Sequence, residues 1–211
     1  MRSGFHQQLD MLTQQLADMC AMAAEAIKHA SEALLEADLA MAECVIARQQ
    51  SIVALDAHVE ETAFALLALQ APVATDLRAV VSAIRIAADA RRMVELAAHV
   101  AEIARRRHPN LAIPPDVLPY VAAMGDAAEA LAIGAREVLV AQDSCRAAQI
   151  RRDDDAMDEL HRQLLAVLMD PGWTQGVAAA VDATLLGRFY ERFADHAVQI
   201  ARRVIFQATG H

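Results

Sequence analysis

Residues 108–119 read HPNLAIPPDVLP and divide the chain into two parts of similar length. This stretch contains four of the six prolines among the 211 residues. Proline fixes φ and has no backbone N–H to donate, so several prolines together end one helix and predict a connection before the next. The sequence therefore predicts a first unit over residues 1–108, a linker over 109–119 and a second unit over 120–211.

Apolar residues recur at intervals of three and four on both sides of this linker, as expected for helices that bury one face. Aromatic residues make up only 4% of the chain, and there are seven glycines, which favours packed helices over sheets. The pattern predicts six helices: one ending before Asp38, one from Asp38 to the break at residue 70, and others over about 72–107, 116–141, 144–169 and 174–208. Asp38 is the expected N-cap of the second helix, and Asp143 or Ser144 that of the fifth.

The third and sixth predicted helices resemble each other at an offset of 100 residues. Arg92 aligns with Arg192 and Glu95 with Asp195, late in the last helix of each half. Such self-similarity indicates a duplication. We therefore expect an all-α fold, a tandem repeat of two three-helix bundles, and the alternative is one continuous up-down bundle.

Charge and composition exclude several classes of protein. The formal net charge is −9, so the chain repels phosphate backbones and we expect no nucleic-acid partner. The basic clusters 105–107 and 202–203 lie near helix ends, where they complement the helix dipole. Three isolated cysteines indicate a reducing compartment. With no signal peptide and no membrane-spanning run, we expect a cytoplasmic protein that docks on membrane proteins at most.

Two acidic pairs in the second half are candidate metal ligands. Glu191 and Asp195 are four residues apart in YERFADH (residues 190–196), and Asp154 and Asp158 have the same spacing on the preceding helix. Residues four apart share one helix face, and neighbouring antiparallel helices bring the two faces together. Carboxylate oxygens suit Mg, Ca, Mn or Fe. The alternative is a solvated surface, since the chain has 28 acidic residues.

The first half departs from this pattern. At the offset of 100, Arg91 takes the place of Glu191, and Glu95 alone remains as a degenerate site. Aligning Ile52 with Met157 places no acid of the second helix at the positions equivalent to Asp154 and Asp158. The pair Asp56 and Glu60 is therefore interpreted as solvated surface. A Gly-rich phosphate loop, a nucleophile motif and paired Glu-x-x-His ligands are all missing from the sequence, so we do not expect an enzyme.

Three segments together resemble the PhoU family of phosphate-signalling regulators. QAPVATDLR (residues 70–78) is similar to the family's Pro-x-Ala-Ser/Thr-Asp-Leu-Arg signature, and YERFADH to its Glu-Arg-x-x-Asp motif. DDDAMDELH (residues 153–161) resembles its Asp-x-x-x-Asp segment. The resemblance extends from about Phe5 to Ala208 and is greatest to the PhoY-type members.

This resemblance implies a cytoplasmic negative regulator of phosphate uptake and of the phosphate-starvation response. Such a protein contacts a phosphate ABC transporter and a sensor histidine kinase, and is peripheral at the membrane through these partners. The family's metal ligands would fall on Glu191, Asp195, Asp154 and Asp158, and Asp76 and Arg78 become candidate partner contacts. A carboxylate-bound metalloenzyme and an assembly module are the alternatives, and the sequence leaves monomer and homodimer open.

Overall fold

The computed structural model describes the backbone of residues 2–210 and the side chains of residues 4–210, and this part of the chain is all-helical. The predicted fold class is therefore confirmed. The second predicted helix is present in two segments, which makes seven helices: α1 (Arg2–Glu36), α2 (Leu39–Ala47), α3 (Gln49–Gln70), α4 (Ala74–Arg107), α5 (Leu118–Ala141), α6 (Ser144–Leu168) and α7 (Val177–Thr209).

The interruption between α2 and α3 is a single tightened turn at Arg48. The backbone N–H of Arg48 is shared between the carbonyls of Cys44 and Val45, at 3.2 Å each, while φ and ψ stay in the right-handed region. The Arg48 guanidinium lies 2.6 Å from Glu25 on α1 and anchors the turn. The two segments therefore act as one kinked helix, as the apolar pattern indicates.

Two predicted N-caps are confirmed and one predicted helix start is wrong. The Asp38 carboxylate accepts a hydrogen bond from the N–H of Met41, and that of Asp143 accepts from the N–H groups of Cys145 and Arg146. Helix α4, however, begins at Ala74 and not at Pro72. Helix α3 ends on a left-handed residue, Ala71, and the next two residues form an extended turn outside both helices.

The four helices α1, α4, α5 and α7 form the centre of the molecule. Kinked helix α2–α3 packs outside α1 and α4, and α6 packs outside α5 and α7. The first helices of the two halves are antiparallel, because Leu9 of α1 lies near Leu139 of α5 while Ser31 lies beside Gly125. The third helices are also antiparallel, because Arg78 and Arg106 near the two ends of α4 contact the C-terminal and N-terminal parts of α7. The two halves are thus related by an approximate two-fold axis.

One continuous hydrophobic core runs through both halves. Its largest fully buried side chains include Tyr190 and Phe193 of α7, each worth about 2–3 kcal/mol of burial. The Tyr190 hydroxyl lies 2.8 Å from the Ser31 hydroxyl on α1. Gly125 makes room for this contact, since a Cβ there would lie 2.7 Å from Ser31 Oγ. The two bundles are therefore joined by shared packing and not only by the connection between them.

Candidate functional site

The four predicted carboxylates lie together on the outer side of α6 and α7. Asp154 and Glu191 are half-buried, whereas Asp158 and Asp195 are exposed. Gly187 allows the two helices to approach, because a Cβ there would lie 2.8 Å from the Leu164 side chain. The predicted pairing of the two acidic helix faces is therefore present in the structure.

Burial and neighbouring negative charges both act on Asp154. Burial raises the pKa of Asp154 from 3.8 to about 6, and the charges of Asp158 and Asp195 add to the increase, followed by those of Asp155 and Glu191. The folded protein thus places negative charges close enough to disfavour one another. A bound cation, whether an ion or a partner's side chain, would relieve this repulsion.

Glu191 has a partner within the chain, and the other three carboxylates are free. Arg188 Nη1 lies 2.5 Å from Glu191 Oε2. Among the described side chains, no basic nitrogen lies within ion-pair distance of Asp154, Asp158 or Asp195. In the same part of the chain, no three His, Cys, Asp or Glu side chains converge on a point that would hold a metal ion as they stand. Binding a metal here requires these side chains to rotate inward.

The equivalent place in the first half is occupied by a salt bridge. Arg91 Nε lies 3.3 Å from Asp56 Oδ2 and 3.6 Å from Glu95 Oε1, and Arg92 also contacts Glu95 at 2.8 Å. Burial raises the pKa of Asp56, Arg91 opposes this effect, and Glu60 and Glu95 reinforce it. Arg91 therefore supplies a cation between the two helices of the first half, whereas in the second half Arg188 pairs with Glu191 on its own helix.

This geometry corrects the predicted alignment of the second helix. The buried positions Ile52 and Val59 correspond to Ile150 and Met157, an offset of 98 and not the register that matched Ile52 with Met157. In the corrected register Asp56 and Glu60 correspond to Asp154 and Asp158. The interpretation as solvated surface is therefore wrong for Asp56, which is half-buried and paired with Arg91, whereas Glu60 is exposed as expected. Three of the four acidic positions, Asp56, Glu60 and Glu95, remain acidic in the first half.

The two candidate contact residues of the signature segment differ in their surroundings. Asp76 lies in the first turn of α4, where a carboxylate complements the helix dipole. The Arg78 guanidinium instead points to the end of α7, with Nε 3.4 Å from the carbonyl oxygen of Gln207 and Nη2 3.1 Å from Thr75 Oγ1. Arg78 thus holds the C-terminus of α7 against α4 in addition to any role toward a partner.

Two ion-pair groups that join the halves were not predicted. Buried Asp182 accepts hydrogen bonds of 2.6 Å from both Arg106 and Arg107. The Asp89 carboxylate is 3.0 Å from His196 Nδ1 and 3.0 Å from Arg203 Nε. Two groups of charged side chains therefore connect α4 of the first half to α7 of the second half. One group lies at one end of α4 (Arg106, Arg107 and Asp182), and the other lies near its middle (Asp89, His196 and Arg203).

The basic clusters thus have a different role from the predicted one. Arg106, Arg107 and Arg203 bind specific carboxylates on the other helix of each pair, and Arg105 Nη1 lies 3.6 Å from Glu43. The interpretation as dipole complementation alone is therefore incomplete. The available signal was a lone aspartate, Asp182, on the apolar face of α7, because a buried carboxylate requires partners.

None of the helices in the described residues combines the length and apolarity needed to cross a membrane. A protein-family model described as PhoU domain matches residues 16–104 and again 121–204. The chain is 60% identical over 210 residues to the phosphate-specific transport system accessory protein PhoU homolog 2 of Mycobacterium tuberculosis, covering 100% of this chain and 99% of that protein. It is 59% identical to PhoU homolog 1 of Mycobacterium leprae, covering 100% of this chain and 95% of that protein.

Solved structures share the fold at low sequence identity. The crystal structure of PhoU from Pseudomonas aeruginosa matches with a TM-score of 0.88 at 23% identity, covering 98% of this chain and 100% of that one. The phosphate transport system regulatory protein PhoU from Streptococcus pneumoniae matches with a TM-score of 0.86, also at 23% identity and covering 98% of each chain. At this identity the likeness establishes the helical arrangement.

Proposed function

The chain belongs to the PhoU family, and from this premise we propose that it is an accessory regulator of phosphate-specific transport. It represses phosphate uptake and the phosphate-starvation response when phosphate is plentiful. The observation that carries this proposal is the 60% identity over the full chain to a protein named as an accessory of such a transport system. The family model matches both halves, so the whole chain takes part in the resemblance.

Regulation in this proposal proceeds through protein contact. The partners are a phosphate ABC transporter and a sensor histidine kinase, and the protein is cytoplasmic and reaches the membrane through them. A regulator of this kind acts by binding one state of its partner more tightly than the other, which shifts the population toward that state. The ion pairs that tie α4 to α7 support such a role, since they hold the two halves as one body whose surfaces keep a fixed relation.

Deletion of the gene tests the proposed function. We expect phosphate-starvation promoters to become active in phosphate-rich medium, and a plasmid copy of the gene to restore repression. Any paralogue must be deleted as well, so that it does not mask the effect. Repression that persists in the strain lacking both genes would contradict the proposal. Affinity capture from membranes at high and low phosphate would then identify the transporter subunit or the kinase.

A second candidate function is metal binding by the carboxylates of α6 and α7. The observation that favours it is that burial, reinforced by the neighbouring carboxylates, raises the pKa of Asp154 to about 6 within a group of oxygen ligands suited to Mg, Ca, Mn or Fe. Asp154, Asp158, Glu191 and Asp195 would hold the ion. A bound ion would supply positive charge there and rigidify the two helices against each other.

Elemental analysis of protein purified without a chelator tests this candidate. We expect about one or more equivalents of a divalent or ferric ion per chain, because carboxylate groups of this kind bind hard cations. The double variant D154N/D158N should lose the metal, and D153N/D155N on the same helix should keep it. Wild-type protein free of metal, or equal loss in both variants, would rule out a site at these residues.

A further inference from the structure

An apolar groove lies at the beginning of α7, where the chain leaves the turn after α6. It has a volume of about 430 Å³ and is lined by Trp173, Val177, Val181 and Leu185 with small residues between them. Val177 is 80% exposed and Val181 51% exposed. The Trp173 indole N–H donates to the carbonyl of Gly176 at 3.1 Å, which holds the ring as one wall of the groove. Exposed apolar surface of this kind marks a contact site for another molecule.

The groove continues along α7 into the acidic group. Residues 177, 181, 184, 188, 191 and 195 follow at intervals of four and three, so they form one stripe along the outer side of the helix. The stripe begins with Val177 and Val181, continues through Thr184 and Arg188, and ends with Glu191 and Asp195. Arg188 pairs with Glu191. Asp158 and Asp154 of α6 lie beside these acids. From Leu185 to Asp195 the helix rises by about 15 Å.

We infer that this surface, from the groove at Val177 and Val181 to the acids at Asp158 and Asp195, binds a basic amphipathic helix of a protein partner. Apolar side chains of that helix fill the groove beside Trp173, and lysine or arginine side chains two to three turns away meet the free carboxylates. The inference rests on the proposed function, because it specifies the chemistry by which the regulator holds a partner.

The negative charge of this surface favours a basic helix over a second copy of the chain or an anionic membrane. A second copy of the chain would present the same acidic stripe, and two such stripes repel each other in a protein of net charge −9. An anionic membrane surface repels the carboxylates in the same way. A basic helix satisfies both parts of the surface, since it contributes the cations that Asp154, Asp158 and Asp195 lack within the chain.

The related face of the first half does not offer the same combination. Arg91 already neutralises Asp56 and Glu95, at 3.3 Å and 3.6 Å. Leu69 and Val73 are as exposed as Val177, at 79% and 74%, but on these helices Arg91 pairs with Asp56 and Glu95. The two ends of the molecule therefore differ in charge while both expose apolar side chains, which provides an internal control.

The test uses the full chain and a labelled synthetic helix of about 16 residues, apolar on one face in its first two turns and lysine-rich in the next two. Fluorescence anisotropy measures its Kd at about 50 mM and about 300 mM salt, where screening differs strongly. A second peptide with every lysine replaced by glutamate serves as the charge control. We expect the basic peptide to bind, its affinity to fall at the higher salt, and the acidic peptide not to bind.

Substitutions at exposed positions locate the contact. We expect V177S/V181S to raise the Kd about tenfold, since two apolar anchors are lost. Replacing two free carboxylates in D158N/D195N should raise it about fivefold at low salt and less at high salt. The matched control L69S/V73S removes equally exposed apolar side chains from the other end and should change the Kd less than about twofold. Circular dichroism confirms that each variant is folded.

Three outcomes would overturn the inference: no binding of the basic peptide to wild type, equal weakening by L69S/V73S and V177S/V181S, or stronger binding of the wild type to anionic vesicles than to the peptide. Repression of phosphate-starvation promoters separates this result from the proposed function. If V177S/V181S loses the peptide but still represses in the deletion strain, the docking surface is wrong and the regulatory function stands. If deletion leaves repression intact, the function fails whatever the peptide does.

Discussion

Replacing Asp154 by asparagine removes a carboxylate whose ionised form is disfavoured in the folded protein. The pKa of Asp154 rises from 3.8 to about 6, because the group is partly buried and surrounded by Asp158, Asp195, Asp155 and Glu191. A change of this size corresponds to about 3 kcal/mol at ~1.4 kcal/mol for each tenfold change in proton affinity. Asp154 is partly exposed, so solvent screening reduces the expected effect to about 1 kcal/mol.

The sign of the pH dependence follows from the raised pKa. The folded state holds the proton more tightly than the unfolded state, so stability falls as the pH rises from about 3.8 through about 6. Asparagine carries no charge at any pH and escapes this loss. We therefore expect D154N to exceed the wild type in free energy of unfolding by about 1 kcal/mol at about pH 7.5, and by about 0.3 kcal/mol at about pH 4.5.

Urea unfolding followed by circular dichroism measures both values, with EDTA present so that no divalent ion compensates the repulsion. The control is D155N on the same helix, since Asp155 is exposed and contributes less to the repulsion than Asp158 or Asp195. Its gain should be less than half that of D154N. A D154N gain that is absent at pH 7.5, equal at both pH values, or matched by D155N would refute the reasoning.

Three further substitutions test other contacts. Arg91→Glu should lower the free energy of unfolding in EDTA by about 1 kcal/mol, because it replaces the cation with a fourth acid, and added Mn²⁺ should restore part of the loss. The control Arg91→Gln should show a loss that Mn²⁺ does not restore. Recovery of stability with Mn²⁺ in both variants would contradict the assignment. Asp182→Asn should lower the free energy of unfolding by about 2 kcal/mol, because two charged hydrogen bonds to a buried carboxylate are lost. The control Glu137→Gln breaks an exposed ion pair and should lower it by less than about 0.5 kcal/mol. Equal effects of the two substitutions in urea unfolding would contradict the role of burial. Gly125→Ala should cost about 1–3 kcal/mol through its contact with the Ser31 hydroxyl, and Gly4→Ala, which meets no neighbour, should be neutral or slightly stabilising in thermal unfolding.

The helices and the second-half acidic group were predictable because each depends on local spacing. Apolar periodicity located the helices to within a few residues, and Asp38 and Asp143 cap them as expected. Four-residue spacing placed Glu191 and Asp195 on one face. The start of α4 was missed because proline in a first turn and proline just before a helix give the same local pattern. The backbone conformation distinguishes them: Ala71 and Ala74 have positive φ, and Val73 between them is extended.

Contacts between segments that are distant in the sequence could not be predicted, because they depend on how the helices align with one another. The pairing of Asp56 with Arg91 depends on how α3 and α4 align, and aligning Ile52 with Met157, an offset of 105, hid it. That offset differs from the correct offset of 98 by seven residues, about two helical turns, so buried apolar positions coincide in both registers. Similarly, nothing local shows that Asp182 is buried and paired with arginines of the other half.

On the docking surface inferred above, the guanidinium of Arg91 limits how many partners one molecule engages. A duplicated chain starts with two equivalent faces, and two equal binding faces would let one molecule hold two partner molecules. Arg91 fills one face with a cation that is part of the chain itself. The protein is then monovalent for a basic ligand. Its complex should stop at a ratio of one to one, and a rising concentration of the protein should saturate its partner without cross-linking it.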